Sequence, residues 1–219
     1  MKRELRKLLI ERQFGAIAEL AAQKRRVLGS LVSLTFDADP QIGWRAVEGM
    51  GVAAARIADV DPGPVREHLR RLVWLLNEES GGICWRAPEA IAEITHHRPA
   101  LFANYVPIVI HLLLEMAEED LGHFRAGILW AIGRLGENAD DYVPEVLPAI
   151  TAALNHADSQ VRGMAVWCLT RLGRTELLAD HSDLLGDDGP VDLYEDGVLT
   201  RTSVGWLSRC ALGEEEIEG

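Results

Sequence analysis

Lysine disappears early from this chain: the three lysines are Lys2, Lys7 and Lys24, and none follows over nearly two hundred residues. Cysteine is scarce as well. Cys84, Cys168 and Cys210 are far apart, and an odd number leaves at least one thiol unpaired within the chain, so a disulfide framework is excluded and a reducing cytoplasm is expected. There is no long apolar run. Leu8-Leu9-Ile10 ends at once in Glu11-Arg12, too short for the core of a signal peptide, and the stretch Tyr105 to Leu114 carries Pro107 and His111 and cannot span a bilayer. No glycine-rich loop is followed by the lysine and hydroxyl residue that cradle phosphates, for Gly81-Gly82 lacks both. No Ser/His/Asp or Cys/His spacing suggests a nucleophile, and the scattered His96-His97, His111 and His123 do not suggest a metal site. The sequence therefore predicts no catalytic residue, no metal and no cofactor.

What is present is an ordinary globular balance, 48% hydrophobic and 26% charged, with a net charge of −12 that is unevenly spread. Residues 1–26 carry eight basic residues against three acidic ones. From Asp180 onward, eleven acidic residues face Arg201 and Arg209 alone. So acidic a surface repels phosphate backbones, which disfavours nucleic acid as a partner unless Lys2, Arg3, Arg6, Lys7, Lys24, Arg25 and Arg26 supply the contact.

Internal periodicity organises the rest. Five segments align on an arginine near the start of a predicted helix: Trp44-Arg45-Ala46, Trp85-Arg86-Ala87, Phe124-Arg125-Ala126, Val161-Arg162-Gly163 and Thr200-Arg201-Thr202. The intervals between these arginines are 41, 39, 37 and 39 residues. In the last three segments Trp130, Trp167 and Trp206 follow five positions on, an apolar column suited to packing between repeats. Between the arginine helices lie apolar helices opened by proline, as in Tyr105-Val106-Pro107 and Tyr142-Val143-Pro144, with Pro148 expected to bend or delay its helix. Neither helix of such a pair can bury its apolar face alone, so neighbouring pairs must stack.

The segment Asp158-Ser159-Gln160-Val161-Arg162-Gly163-Met164-Ala165, closing at Leu172-Gly173, resembles the HEAT-like repeats, especially the variety named after phycobilin lyases. Asp39, Asp120 and Asp196 precede the other arginines in similar places, and the resemblance covers roughly residues 24–213. It implies an all-α fold: a right-handed α-solenoid of about five stacked helical hairpins over 24–213, capping helices over 1–23, and an acidic, disordered tail over 214–219. In such repeats the arginine commonly meets loop acids or carbonyls of the adjoining repeat. The di-iron hydroxylases of this fold carry repeated His-Glu dipeptides, and this sequence has none.

The pattern breaks at one place. Three residues after the arginine stand Ile128, Ala165 and Val204 in the last three repeats, but Glu48 and Glu89 in the first two. Each glutamate follows a Trp-Arg pair, and Glu93 lies one turn beyond Glu89. The sequence thus predicts a polar site formed by Trp44, Arg45, Glu48, Trp85, Arg86, Glu89 and Glu93. Carboxylates beside indoles suit a basic or amine-bearing partner; the alternative is that the glutamates close buried salt bridges with the repeat arginines. The expected function is a cytoplasmic, non-catalytic protein–protein interaction scaffold that binds its partner on the concave face made by the arginine helices. The second reading is a small-ligand or enzyme-accessory protein with its pocket at Glu48 and Glu89.

Overall fold

The computed structural model describes residues 1–24, 26–76, 86–115 and 122–214. Cys84, Trp85, the Gly81-Gly82 loop, Asp120 and the acidic residues 215–219 lie outside these. The described chain is helical almost throughout, an all-α repeat fold with one small two-stranded sheet, and it divides into two units. No helix among the described residues is long and apolar enough to cross a membrane.

The first unit comprises Met1–Tyr105 and Tyr194–Leu199. It contains α1 (Lys2–Ile10), α2 (Phe14–Gln23), α3 (Arg26–Val32), α4 (Pro40–Ala58), α5 (Gly63–Leu76), α6 (Ala87–His97) and the single turn α7 (Pro99–Phe102). The central element is α4, against which α1, α2, α3, α5 and α6 all pack. Its start is specified locally: Pro40 occupies the first turn, and the Asp39 carboxylate accepts the Gln41 amide at 3.0 Å. Beyond that turn it is apolar nearly all round, the mark of a helix enclosed by others. Glycine lets the neighbours come close. A Cβ at Gly49 would stand 3.4–3.6 Å from methyls of Leu9, Ile17 and Leu31, so three helices converge there. A Cβ at Gly51 would meet His97 Cδ2 at 2.5 Å and Glu93 Cγ at 2.7 Å, so only glycine admits that face of α6.

The second unit comprises Val106–Leu193 and Thr200–Gly219. It holds α8 (Val106–Glu115), α9 (Gly122–Leu135), α10 (Val143–Ala153), α11 (Ser159–Arg171) and α12 (Val204–Ala211). Here α9 and α11 make the principal pair, with α8 and α10 against them and α12 against α11. The rings of Trp130 and Trp167 stack at 5.9 Å and 1°. A Cβ at Gly133 would strike the Trp167 ring at 2.5 Å, which is why the stack needs glycine there. Helix α10 runs unbroken through Pro148, so that proline does not delay the helix start. Arg162 behaves as repeat arginines are expected to: it pairs with Asp187 at 2.7 Å and donates to the carbonyls of His156 and Ala157 at 2.7 and 2.9 Å.

The fifth arginine is a correction. Thr200-Arg201-Thr202 does not open a helix but lies in a strand, β2 (Val198–Ser203), which pairs with β1 (Pro190–Glu195). The helix begins only at Val204, where the Ser203 hydroxyl accepts the Trp206 amide at 3.2 Å. Trp206 itself is half-buried on α12. The physical reason is the Asp196-Gly197 turn. Both residues have positive φ, 45° and 79°, the geometry of a two-residue hairpin loop, and Asp-Gly is the dipeptide that adopts it most readily. Val191 and Leu193 alternate with exposed Pro190 and Asp192, a strand period that the helical alignment overlooked.

Candidate functional site

The first unit contains every described residue of the site predicted from sequence, with one partner that the sequence did not suggest. Glu48 sits on α4, two turns in, and is half-buried. Glu89 and Glu93 lie one turn apart on α6 and are 2% and 1% exposed. Pro88 in the first turn sets where α6 begins, and with it the direction of Glu89. Trp85 lies outside the described residues.

The aromatic centre is Trp44. Its ring stacks on Tyr194, with centroids 5.3 Å apart and planes 6° from parallel. The Arg86 guanidinium lies 4.1 Å from the same indole, within cation–π range. Arg86 also approaches Glu89 Oε1 at 3.6 Å, an ion pair longer than a hydrogen bond. The Tyr194 hydroxyl donates to Glu48 Oε2 at 2.5 Å. Glu93 Oε1 faces His97 Nε2 at 3.1 Å, one turn along α6.

Tyr194 is the residue that sequence reasoning missed. It stands at the hairpin tip, whose backbone is held by α4: Gly197 O accepts Gln41 Nε2 at 2.9 Å and Arg45 Nε at 2.8 Å. Arg12 donates to Asp196 O, and the close approach of its guanidinium is a second reason for glycine at 197. The Asp-Gly turn could have signalled a tip, but nothing local says where that tip lands.

Arg45 does not face the acids as a free cation. Its second nitrogen donates to Leu9 O and Ile10 O at 3.1 and 3.0 Å, so it ties α1 and the hairpin tip to α4. One guanidinium's fork closes three carbonyls, the structural task expected of a repeat arginine.

The electrostatics follow from burial. Glu89 is enclosed by apolar neighbours, and this desolvation lifts its carboxyl to about 7; the Arg86 charge pulls the other way and recovers only part of the shift. Its Oε2 has no hydrogen-bond partner among the described residues. The Tyr194 phenol is pushed up, first by burial and then by its bond to Glu48 and the nearby charges of Glu48 and Glu93. Glu48, Glu89 and Glu93 thus lie in one unit with the Arg86 guanidinium against an indole, the Arg45 guanidinium whose charge reaches Tyr194, and the His97 imidazole. Among the described residues no group of histidine, cysteine, aspartate and glutamate has the geometry of a metal site.

The family model of the HEAT-like repeat matches residues 122–172, which are α9 through the end of α11. An uncharacterized protein of Archaeoglobus fulgidus is 25% identical over 179 residues, covering 80% of this chain and 89% of that protein. The crystal structure of an engineered protein from the Northeast Structural Genomics Consortium superposes with a TM-score of 0.50 at 16% identity, covering 96% of each chain, a likeness of fold alone. Residues 122–172, which hold α9, α10 and α11, are thus matched in sequence to a HEAT-like repeat, in keeping with the all-α repeat fold.

Proposed function

We propose that this protein is a non-catalytic interaction module, and that the cluster around Trp44 and Glu89 receives a lysine or arginine side chain of another protein. HEAT-like repeats generally mediate protein interaction, which supplies the class. The observation that carries the specific reading is Glu89: a carboxylate 2% exposed, with one oxygen lacking a hydrogen-bond partner among the described residues. A buried acceptor left unmet costs about 1–3 kcal/mol, which a bound donor would recover. A flat aromatic surface, Trp44 stacked on Tyr194, lies in the same cluster.

Arg86 is the internal competitor. It already occupies the ring of Trp44 and the nearer oxygen of Glu89, so an incoming guanidinium or ammonium exchanges with it. Its side chain is 24% exposed, so part of it already faces water.

The test is affinity capture at moderate salt with wild type, Glu89→Gln and Arg86→Ala, each first shown to melt cooperatively. One protein retained by wild type, lost by Glu89→Gln and held more tightly by Arg86→Ala supports the exchange. Equal retention by all three removes the site from the interaction. The burial of Glu89 also favours a second reading, a free amine as ligand. If no protein is retained but an amine such as arginine or spermidine raises the melting temperature of wild type and not of Glu89→Gln, that reading takes its place.

A further inference from the structure

A recess lies in the first unit, at the edge where α3, the end of α4 and the start of α5 meet the first residues of α1. It is a cavity of about 780 Å³, within the size range of small-molecule sites, and its wall carries Lys2, Arg26, Arg71, His68, Asp61 and Glu67. In a chain of net charge −12, this is where the basic N-terminal segment folds against a helix that adds another arginine.

The two acids in the wall are already engaged. Glu67 is shared by Arg70 at 2.6 Å and Arg71 at 3.5 Å, and Asp61 Oδ1 accepts the Gly63 amide at 2.9 Å. Lys2 and Arg26 form no ion pair among the described residues. The three cations of the wall thus exceed its two carboxylates by one charge, and Lys2 and Arg26 carry that excess. His68 adds a specific feature. Its Nε2 is buried and has no hydrogen-bond partner among the described residues, an uncommon condition that marks a place for a missing partner. Burial first, and then the charge of Arg71, hold its imidazole down to about 4, so at neutral pH the ring is uncharged and one of its nitrogens is a donor.

We propose that this cavity is a binding site for a small phosphate-bearing molecule, with Lys2, Arg26 and Arg71 around the phosphates and His68 donating to one oxygen. Arginine forks match phosphate oxygens two at a time, and lysine supplies a point charge. The volume admits a nucleotide-sized ligand. An extended polyanion is disfavoured by the acidity of the rest of the chain.

The experiment is calorimetric titration of the full chain at low salt with inorganic pyrophosphate, ATP, adenosine and a short single-stranded oligonucleotide. Pyrophosphate and ATP should bind, and adenosine should not. Arg26→Gln with Arg71→Gln should weaken ATP by about tenfold or more, whereas Arg3→Gln, a cation of the same segment outside the cavity wall, should leave it unchanged. Should the double variant shift the melting temperature, Lys2→Gln alone carries the test, with several-fold weakening expected. His68→Phe should weaken ATP as well. No binding of pyrophosphate or ATP overturns the proposal. So does an oligonucleotide bound more tightly than ATP and weakened equally by Arg3→Gln, which would mark a diffuse basic surface.

Discussion

The pairs α4–α6 and α9–α11 are built from the same repeat, with an arginine near each helix start and close packing through glycine, yet they bury opposite chemistry. In the second unit the position three residues after the arginine is Ile128 or Ala165, both fully buried, beside two parallel indoles. In the first unit the same position is Glu48 or Glu89, and the indole of Trp44 is met by a phenol and a guanidinium. The difference shows that the repeat specifies where a side chain points and leaves open what it meets there. Glu48 is tolerated because Tyr194 arrives from a hairpin far along the chain. Glu89 is tolerated at a cost that its raised carboxyl pKa reports.

The sharpest way to break this contrast is to place an acid in the second unit. Ile128→Glu sets a carboxylate three residues after Arg125, as Glu89 follows Arg86, but in a fully buried apolar position. A loss of about 4 kcal/mol in urea unfolding is expected. A loss below about 1 kcal/mol would mean that the preceding arginine alone makes the position acid-tolerant.

Glu89→Gln comes next. Because folding raises this carboxyl from the ordinary 4.5 to about 7, the native state holds the proton more tightly than the unfolded chain. Its favourable contribution is complete below about pH 4.5 and is lost as pH rises to about 7. At pH 8 the amide should therefore stabilise the fold by about 2–3 kcal/mol, with little gain at pH 4. His68 works in the opposite sense. Its depressed pKa gives stability that is present above about 6.5 and lost as pH falls toward about 4, so the Glu89 effect must be read as a difference between variant and wild type.

Gly51→Ala tests the close approach that forms the site. Its methyl would overlap Glu93 and His97, and a loss of about 1–3 kcal/mol is expected by thermal melting. Gly15→Ala, on a helix where a methyl meets nothing within 4 Å, should instead gain up to about 1 kcal/mol. A smaller loss than that of Gly51→Ala belongs to Tyr194→Phe, which keeps the stack on Trp44 and removes only the hydroxyl bonded to Glu48. About 1–2 kcal/mol should be lost, and a double-mutant cycle with Glu48→Gln should return most of it as coupling.

Much of the helical framework was legible because its signals are local. Asp39 and Asp158 cap α4 and α11 through the second amide of each helix, prolines open α4, α6 and α10, and apolar spacing marks the faces that become buried. The alignment on arginine held for Arg45, Arg125 and Arg162 within helices and for Arg86 at a helix cap. It failed at Arg201, because a spacing of 39 residues was allowed to outweigh the Asp-Gly turn and alternating strand pattern beside it. The pairing of Arg86 with Glu89 could be anticipated, since the two stand one turn apart at the start of one helix. The role of Arg45 could not, because its acceptors are carbonyls of α1 and of the hairpin turn.

By itself, then, the amino-acid sequence determined the helices, their caps and the two positions where acids replace apolar residues, all consequences of periodicity and hydrogen bonding within a turn or a repeat. Only the tertiary structure decided what those acids touch. Tyr194 reaches Glu48 across 146 residues of chain, and neither propensity nor spacing acts over that distance. Burial then completes the chemistry, because desolvation and partner choice belong to the packed neighbourhood and not to the residue.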